Sequence, residues 1–371
     1  MTCAGAPPIL RGVHGGELVR KRLRVAFARA KDTLTLPPRL ARLRYLIVAP
    51  GFQPWDLGRY CERLLRADHL ACATFAYGDR PGAEQETRLL EAVRQFRPHI
   101  VVALKLEGIR PQTLAAIRAH AFVALWYVDC FGKFVPRWLA PLLAHVDLFL
   151  TSANGMVPTY RRHTDAPVRW VYEGAHLPSF PRLRAPTARL AAYRSEVAFV
   201  GNVRHSRTKV PAARERLLHA VHRRFDLRIW GPQGLPADAR TKRLKITEWP
   251  AYNQELVRVC NAAAIVLGIN EVNSVDRYFS NRTFLTLACG GFHVTHYVPG
   301  LESMFENRRH LVWFHSDDEC LDLIRYYLDR PRERRAIARA GQAWTRRRYG
   351  MRRSWRRILS AIDEVYPGRR G

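Results

Sequence analysis

From Arg44 onward the chain alternates short apolar runs with amphipathic helical stretches, and this pattern constrains the fold more than any other feature. The runs YLIVAP (45–50), HIVVALKL (99–106), FVALWYVD (122–129), DLFLTS (147–152) and VRWVYEGA (168–175) are strand-like, rich in β-branched and aromatic residues. Helical spacing occupies the intervals, as in EQETRLLEAVRQF (84–96) and PQTLAAIRAHA (111–121). Strands that are apolar on both faces must be covered on both, which predicts a parallel sheet between helix layers. Three prolines and no strand pattern across 177–196 predict a linker. The alternation then resumes with EVAFVGN (196–202), FDLRIWGP (225–232), AAAIVLGIN (262–270), GFHVTHY (291–297) and HLVWFHS (310–316). A length of 371 residues fits two such domains. The expected layout is a basic extension at 1–43, a first α/β domain at 44–178, a linker at 179–195, a second α/β domain at 196–345, and a basic helix and tail at 346–371. Open sheets of this kind bind ligands outside the carboxyl ends of their strands, so a cleft between the two domains is expected.

Several function classes lack their signatures. No apolar run approaches the roughly 20 residues needed to span a bilayer, and the first residues show no signal-peptide core, so a cytoplasmic protein is expected. The seven cysteines are odd in number and scattered, with no CxxC pair. Neither a GxxxxGK[ST] phosphate loop nor a Gly-x-Ser-x-Gly elbow occurs. No Asp-x-Asp pair is present to chelate a cation beside a diphosphate, so neither a metal nor another cofactor is expected. His293 and His296 stand three apart on a strand, point to opposite faces and are expected to pack rather than to bind metal. In Ser316-Asp317-Asp318-Glu319 the serine and the glutamate form a capping box that opens a helix.

The net charge of +29 favours polyanions, although an arginine bias from a GC-rich genome would produce the same excess as solvated charge. It concentrates at the ends: residues 1–44 carry ten Lys or Arg against two acids, and residues 343–371 carry nine Arg against two. The stretch GELVRKRLRVAFARAK (16–31) suits a helix lying on an anionic membrane surface, and equally a basic helix packed on the first domain. Zinc-finger, RNA-recognition and basic-zipper patterns are absent, so nucleic acid is not an expected partner.

The stretch SNRTFLTLACGGFHVTHYVPGLESMF (280–305) carries the sharpest chemical signal. Ser280 or Asn281 suits an N-cap, Phe284, Leu287 and Ala288 share one helical face, and Gly290 suits a C-terminal stop. A helix N-terminus with its free N–H groups attracts anions, and Arg282 beside it adds a bidentate guanidinium. The following strand ends in the loop holding Pro299, Gly300 and Glu302, expected on the same rim.

The run from Arg282 to Leu359, with its Arg-Thr-Phe start, Ala-Cys-Gly turn, Pro-Gly-Leu-Glu loop and late Ala-Gly helix, resembles the C-terminal domain of group 1 glycosyltransferases, in particular the spore-maturation-protein (CgeB-like) branch. VALKLEGI (102–109), LWYVD (125–129), LTSANGMVPTYR (150–161), VAFVGN (197–202) and LRIWGP (227–232) carry the resemblance into both domains, over roughly residues 44–360. It implies a GT-B fold: two Rossmann-like doubly wound domains facing a cleft, with a C-terminal helix crossing back to the first. It further implies metal-independent, retaining transfer from a nucleotide-diphosphate sugar to an acceptor it does not identify. One departure stands out. The family pattern has a glutamate after Arg-Thr-Phe, and in related transferases two glutamates eight positions apart serve the donor, the later one meeting ribose; here those positions are Leu285 and Arg277. Leucine accepts no hydrogen bond, leaving Glu271, Asp276 or Glu302 as possible substitutes. It also leaves open a non-catalytic protein of this fold that binds a polyanion.

Other candidates follow from strand ends. Gly201 and Asn202, with Arg207 and Lys209 in the loop VRHSRTK, suit a diphosphate approaching opposite Arg282. Lys105, Glu107 and Asp129 are ionisable groups ending apolar strands, suited to acid/base or acceptor-binding work or to an ion pair among themselves. Gly51, after the first strand, admits close approach of a ligand or the opposing domain, and Tyr127 is placed with it on the acceptor side.

Overall fold

Two separate parallel sheets appear in the computed structural model, which describes residues 36–368 apart from 80, 182, 184–187, 202–210, 232–243, 245 and 248–250. The first contains β1 (Arg44–Ala49), β2 (Ala71–Ala76), β3 (Ile100–Leu104), β4 (Phe122–Tyr127), β5 (Leu148–Thr151) and β6 (Val168–Trp170) in the order β2-β1-β3-β4-β5-β6. The second contains β7 (Val197–Val200), β8 (Leu227–Trp230), β9 (Ile265–Gly268), β10 (His293–His296) and β11 (Val312–Phe314) in the order β11-β10-β9-β7-β8. Every pairing is parallel, with Leu46 beside Val101 in one sheet and Phe199 beside Leu267 in the other. In each sheet the winding reverses between two central strands, β1 and β3 in the first, β7 and β9 in the second. That reversal opens a crevice at the carboxyl edge, where doubly wound sheets hold ligands.

The apolar runs all lie in strands, with two differences. β2 was not expected from the sequence: ACATFA is short, has no continuous apolar face, and sits at a sheet edge where none of its residues is fully buried. The run VRWVYEGA is strand only to Trp170, after which residues 171–175 leave the sheet.

Helices of eight residues or more cover the sheets: α1 (Leu57–Ala67), α2 (Ala83–Phe96) and α3 (Pro111–Arg118) on the first, and α4 (Pro211–His222), α5 (Gln254–Ala262) and α6 (Arg282–Cys289) on the second. The chain finishes with α7 (Asp317–Leu328), α8 (Pro331–Arg348) and α9 (Met351–Val365). At α7 the expected cap forms: Ser316 Oγ accepts from the Glu319 amide at 3.2 Å, while the Glu319 carboxylate accepts from the His315 amide at 2.7 Å. His293 and His296 pack as expected. His293 is buried between Val266 O and Thr283 Oγ1, and the His296 ring lies 4.5 Å from that of Phe314.

Helix α9 does return to the first sheet. Trp355, Ile358, Leu359 and Ile362 are fully buried in the core that also holds Tyr45 and Ile47 of β1 and Phe122 of β4. Burying each such side chain contributes about 1.5–3 kcal/mol, which anchors a helix whose other face is arginine. Asp68, almost fully buried after α1, accepts from both Arg352 and Arg356 of α9. Residues 35–371 form one unit, and the two lobes meet through polar as well as apolar contacts. The segment after β9 inserts Val272 and Val275 into the first lobe's core, and Tyr278 Oη accepts from the Cys130 amide at 3.1 Å. Trp55 and Tyr252 stack across the lobes with centroids 4.8 Å apart.

Candidate functional site

Helix α6 begins at Arg282 and ends at Gly290, whose φ of +90° gives the left-handed stop expected of it. The start differs from expectation in one respect. Asn281 adopts helical backbone angles and its side chain makes no cap bond, so Ser280 Oγ takes over, accepting from the Arg282 amide at 3.4 Å and from its Nη1 at 3.3 Å. Among the described residues the Arg282 guanidinium has no carboxylate within ion-pair distance. It keeps solvent access while lying in crowded surroundings. That crowding, and then the neighbouring Arg214, hold its pKa below the usual arginine value against the opposing pull of Tyr252, Glu271 and Glu173.

Gly201 ends β7 with φ of +150°, and a Cβ there would lie 3.2 Å from Arg282 Cζ. Only glycine lets the guanidinium lie flat against this strand end. The structure thus unites two residues singled out 81 positions apart in the sequence, at the winding reversal between β7 and β9. Arg214, near the start of α4, brings a second guanidinium that donates to Ile269 O at 3.2 Å and faces Glu271 at 3.5 Å. Two guanidinium groups beside a helix start and a bare strand end make a concentrated field for an anion. Asn202, Arg207 and Lys209 lie outside the described residues.

The first lobe supplies the opposite wall from the ends of β3, β4 and β6. Lys105 and Leu106 take φ of +64° and +66°, a pair of left-handed non-glycine residues. Such backbone costs on the order of 1–3 kcal/mol per residue and persists only when its surroundings hold it. Here the Leu106 amide donates to Leu104 O at 2.8 Å and to Tyr77 Oη at 3.0 Å. The turn swings Lys105 Nζ to 2.6 Å from Asp129 Oδ2, so two expected site residues form an ion pair, both partly solvent-exposed. Burial works against the Lys105 ammonium, yet Asp129 beside it leaves its pKa raised overall; Glu107 adds to the same field.

The residue that joins the two walls was not singled out from the sequence. Glu173, three residues past β6, lies within electrostatic reach of Asp129, Lys105 and Arg282. Burial first, then Asp129, push its carboxyl up to about 8 against the pull of Lys105 and Arg282. Among the described residues it forms neither a hydrogen bond nor an ion pair. The available signal was an acid ending an apolar run immediately before a glycine, as Asp129 ends its own.

Other expected site residues fall elsewhere. Tyr127 is fully buried against Phe131 and Trp138, and its hydroxyl has no solvent access, so it cannot touch an acceptor; it packs the floor beneath Asp129. Gly51 faces Asp56, whose Oδ2 would lie 2.6 Å from a Cβ and accepts from the Gln53 amide at 2.8 Å. The glycine there serves the turn into α1. Pro299 and Gly300 receive Asp276 and Arg277, with the Arg277 amide donating to Pro299 O at 2.7 Å, and Glu302 accepts from Tyr297 Oη at 3.0 Å. This rim loop therefore organises around Asp276 rather than Arg282. Leu285 packs between two apolar clusters and offers no polar atom to a ligand.

Among the described residues no helix is long and apolar enough to cross a membrane. Residues 207–360, the stretch that includes β8 to β11 and runs into α9, match the sequence profile of a family described as glycosyl transferase-like. No curated protein matches the chain. Among solved structures, HepE of Anabaena, crystallised with UDP and glucose, aligns over 87% of this chain and 100% of its own, with a TM-score of 0.61 at 11% identity. Sucrose-phosphate synthase of Thermosynechococcus elongatus aligns over 88% and 100%, with a TM-score of 0.65 at 13% identity. The UDP-forming α,α-trehalose-phosphate synthase of Burkholderia vietnamiensis aligns over 88% and 100%, with a TM-score of 0.62 at 9% identity. At these identities the likeness is one of architecture, and that architecture, two parallel-sheet lobes spanned by a returning C-terminal helix, is GT-B.

Proposed function

We propose that the protein is a glycosyltransferase that moves a sugar from a nucleotide-diphosphate donor to an acceptor held on the first lobe. The observation that carries this reading is the meeting of Gly201 and Arg282 at the second sheet's winding reversal, with Arg214 behind them. Charge builds on the diphosphate as the glycosidic bond breaks, and fixed guanidinium groups with a helix start stabilise it without reorganising, the largest contribution in many such transfers. The same cations take the place a metal ion would fill, so transfer is metal-independent. The resemblance carried by the motifs around Arg282 supports reading the enzyme as retaining and as a member of the CgeB-like branch. The family profile over 207–360 and the capture of UDP by HepE support the donor class. The basic ends would hold the enzyme at the cytoplasmic face of an anionic membrane.

Leu285 favours a second reading, a non-catalytic GT-B protein that binds a polyanion. Calorimetric titration with UDP, GDP, ADP and TDP at moderate salt separates the two. The first reading predicts saturable binding of one nucleotide, weakened about 10- to 100-fold in Arg282→Ala, the range of one lost charge-assisted contact. Absence of selective binding, or binding indifferent to Arg282, supports the second.

A further inference from the structure

We propose that the loop at residues 131–138 docks on an anionic lipid surface, its aromatic tip entering the headgroup layer while Lys133 and Arg137 meet lipid phosphates. The inference rests on the membrane contact proposed above for the basic ends, names the face that touches, and is independent of the donor assignment.

Exposed apolar surface is the first ground. Among the described residues three large apolar side chains stand exposed, and Phe134 is the most exposed of them at 61%. The other two, Trp55 and Tyr252, cover each other by stacking. Phe134 leans instead on Phe131, with ring centroids 6.4 Å apart, and Phe131, Val135 and Trp138 are half-buried against the first lobe's core. An aromatic cluster left in water has a cost that a covering partner would recover.

Charge is the second. Lys133 and Arg137 flank the tip, are exposed, and make no ion pair among the described residues. Residues 130–146 contain no acid, and the adjoining Asp129 is held by Lys105 at 2.6 Å. The loop therefore offers a phosphate two uncommitted cations and no repelling carboxylate of its own. A stable protein interface buries roughly 800 Å² on each side, more apolar area than this tip presents. A headgroup layer suits it better, with an aromatic ring at the boundary and cations on the surrounding phosphates.

Placement is the third. The loop leaves the carboxyl end of β4 just past Asp129, so it stands at the mouth of the cleft. Both of its ends are fixed. The Cys130 amide donates to Tyr278 Oη at 3.1 Å, and Pro136 is buried with its carbonyl accepting from the Leu139 and Ala140 amides at 2.9 and 3.2 Å. Between these anchors Gly132 turns the chain with φ of +89°, and a Cβ there would meet nothing within 4 Å. A tip already ordered in this way loses little freedom on docking. Docked through it, the protein opens the first-lobe side of its cleft onto the lipid surface.

The test measures sedimentation of the full-length protein with vesicles of phosphatidylcholine alone and of a two-to-one mixture with phosphatidylglycerol. Salt is set at about 0.15 M, where charges more than about 8 Å from the surface are screened. Wild type should bind the mixed vesicles at least about tenfold more tightly than the neutral ones. Phe134→Ser should weaken that binding about 5- to 20-fold, the effect of returning the exposed part of the ring to water. Lys133→Glu with Arg137→Glu should weaken it more than about 10-fold. The same charge change at exposed positions of α8, Arg332→Glu with Arg335→Glu, should leave it within about threefold. All three variants should melt within about 2 °C of wild type, as exposed substitutions do, which separates lost docking from lost fold. Unchanged binding in Phe134→Ser overturns the docking loop and leaves the basic ends as the contact. Equal loss in the α8 variant shows diffuse charge attraction and overturns it too. A wild-type dimer in gel filtration that Phe134→Ser dissolves assigns the tip to a second copy of the chain instead. Failure of the wild type to bind the mixed vesicles overturns this inference and the membrane contact of the basic ends together, leaving the donor site standing.

Discussion

A carboxylate held at a pKa of about 8 works against the stability of the fold that holds it. In the unfolded chain Glu173 titrates near 4.5, and in the folded protein near 8. The folded state therefore binds that proton more tightly, and as pH rises from about 4.5 to about 8 the unfolded state ionises first and gains the advantage. Wild-type stability should fall relative to Glu173→Gln across this window and level off above it, as measured by thermal unfolding of both proteins from pH 5 to 9. A difference independent of pH would contradict the placement of Glu173. The left-handed pair at Lys105 and Leu106 is a second site where local preference is overruled. Both explain what the sequence could not display. Lys105, Asp129 and Arg282 were legible because each ends an apolar run or opens a helix. Glu173 sits in a stretch that has the composition of a strand, and the end of β6 at Trp170 takes it out of the sheet. Tyr127 erred the other way: at a strand end, one residue of register separates the cleft rim from the core.

Among the elements, α9 carries the most weight. Its apolar stripe made it legible as a helix, but its destination depended on Asp68, a lone acid 288 positions away from Arg356. Asp68 and Arg356 are both almost fully buried, so removing one leaves the other charged and unpaired in the core. Asp68→Ala should cost about 3–5 kcal/mol in chemical denaturation, and adding Arg356→Met should recover part of that loss. A cost below about 1 kcal/mol, the value typical of an exposed pair, would show that the pair is solvated in solution. Strand β2 was illegible for the opposite reason. An edge strand needs only one covered neighbour, so ACATFA never required the apolar run that marks the central strands.

At the scale of the molecule, two sheets wound in the same sense turn their carboxyl edges toward each other, and each contributes what the other lacks. The second lobe brings the Arg282 and Arg214 guanidinium groups, the first the Lys105 ammonium and the Asp129 carboxylate, the groups that the proposed transfer assigns to donor and acceptor. Contacts that cross between them, the Trp55–Tyr252 stack, Tyr278 on Cys130 and α9 on β1, fix the alignment that catalysis would need. That two-lobed plan was legible in the alternation of apolar runs, whereas the pairing of Gly201 with Arg282 required the fold. A crystal structure of the protein soaked with UDP tests the central claim most directly. The account predicts the diphosphate at the start of α6, its terminal phosphate within hydrogen-bond distance of the Arg282 guanidinium and beside Gly201. A diphosphate bound elsewhere, or density absent with each of UDP, GDP, ADP and TDP at saturation, would contradict it.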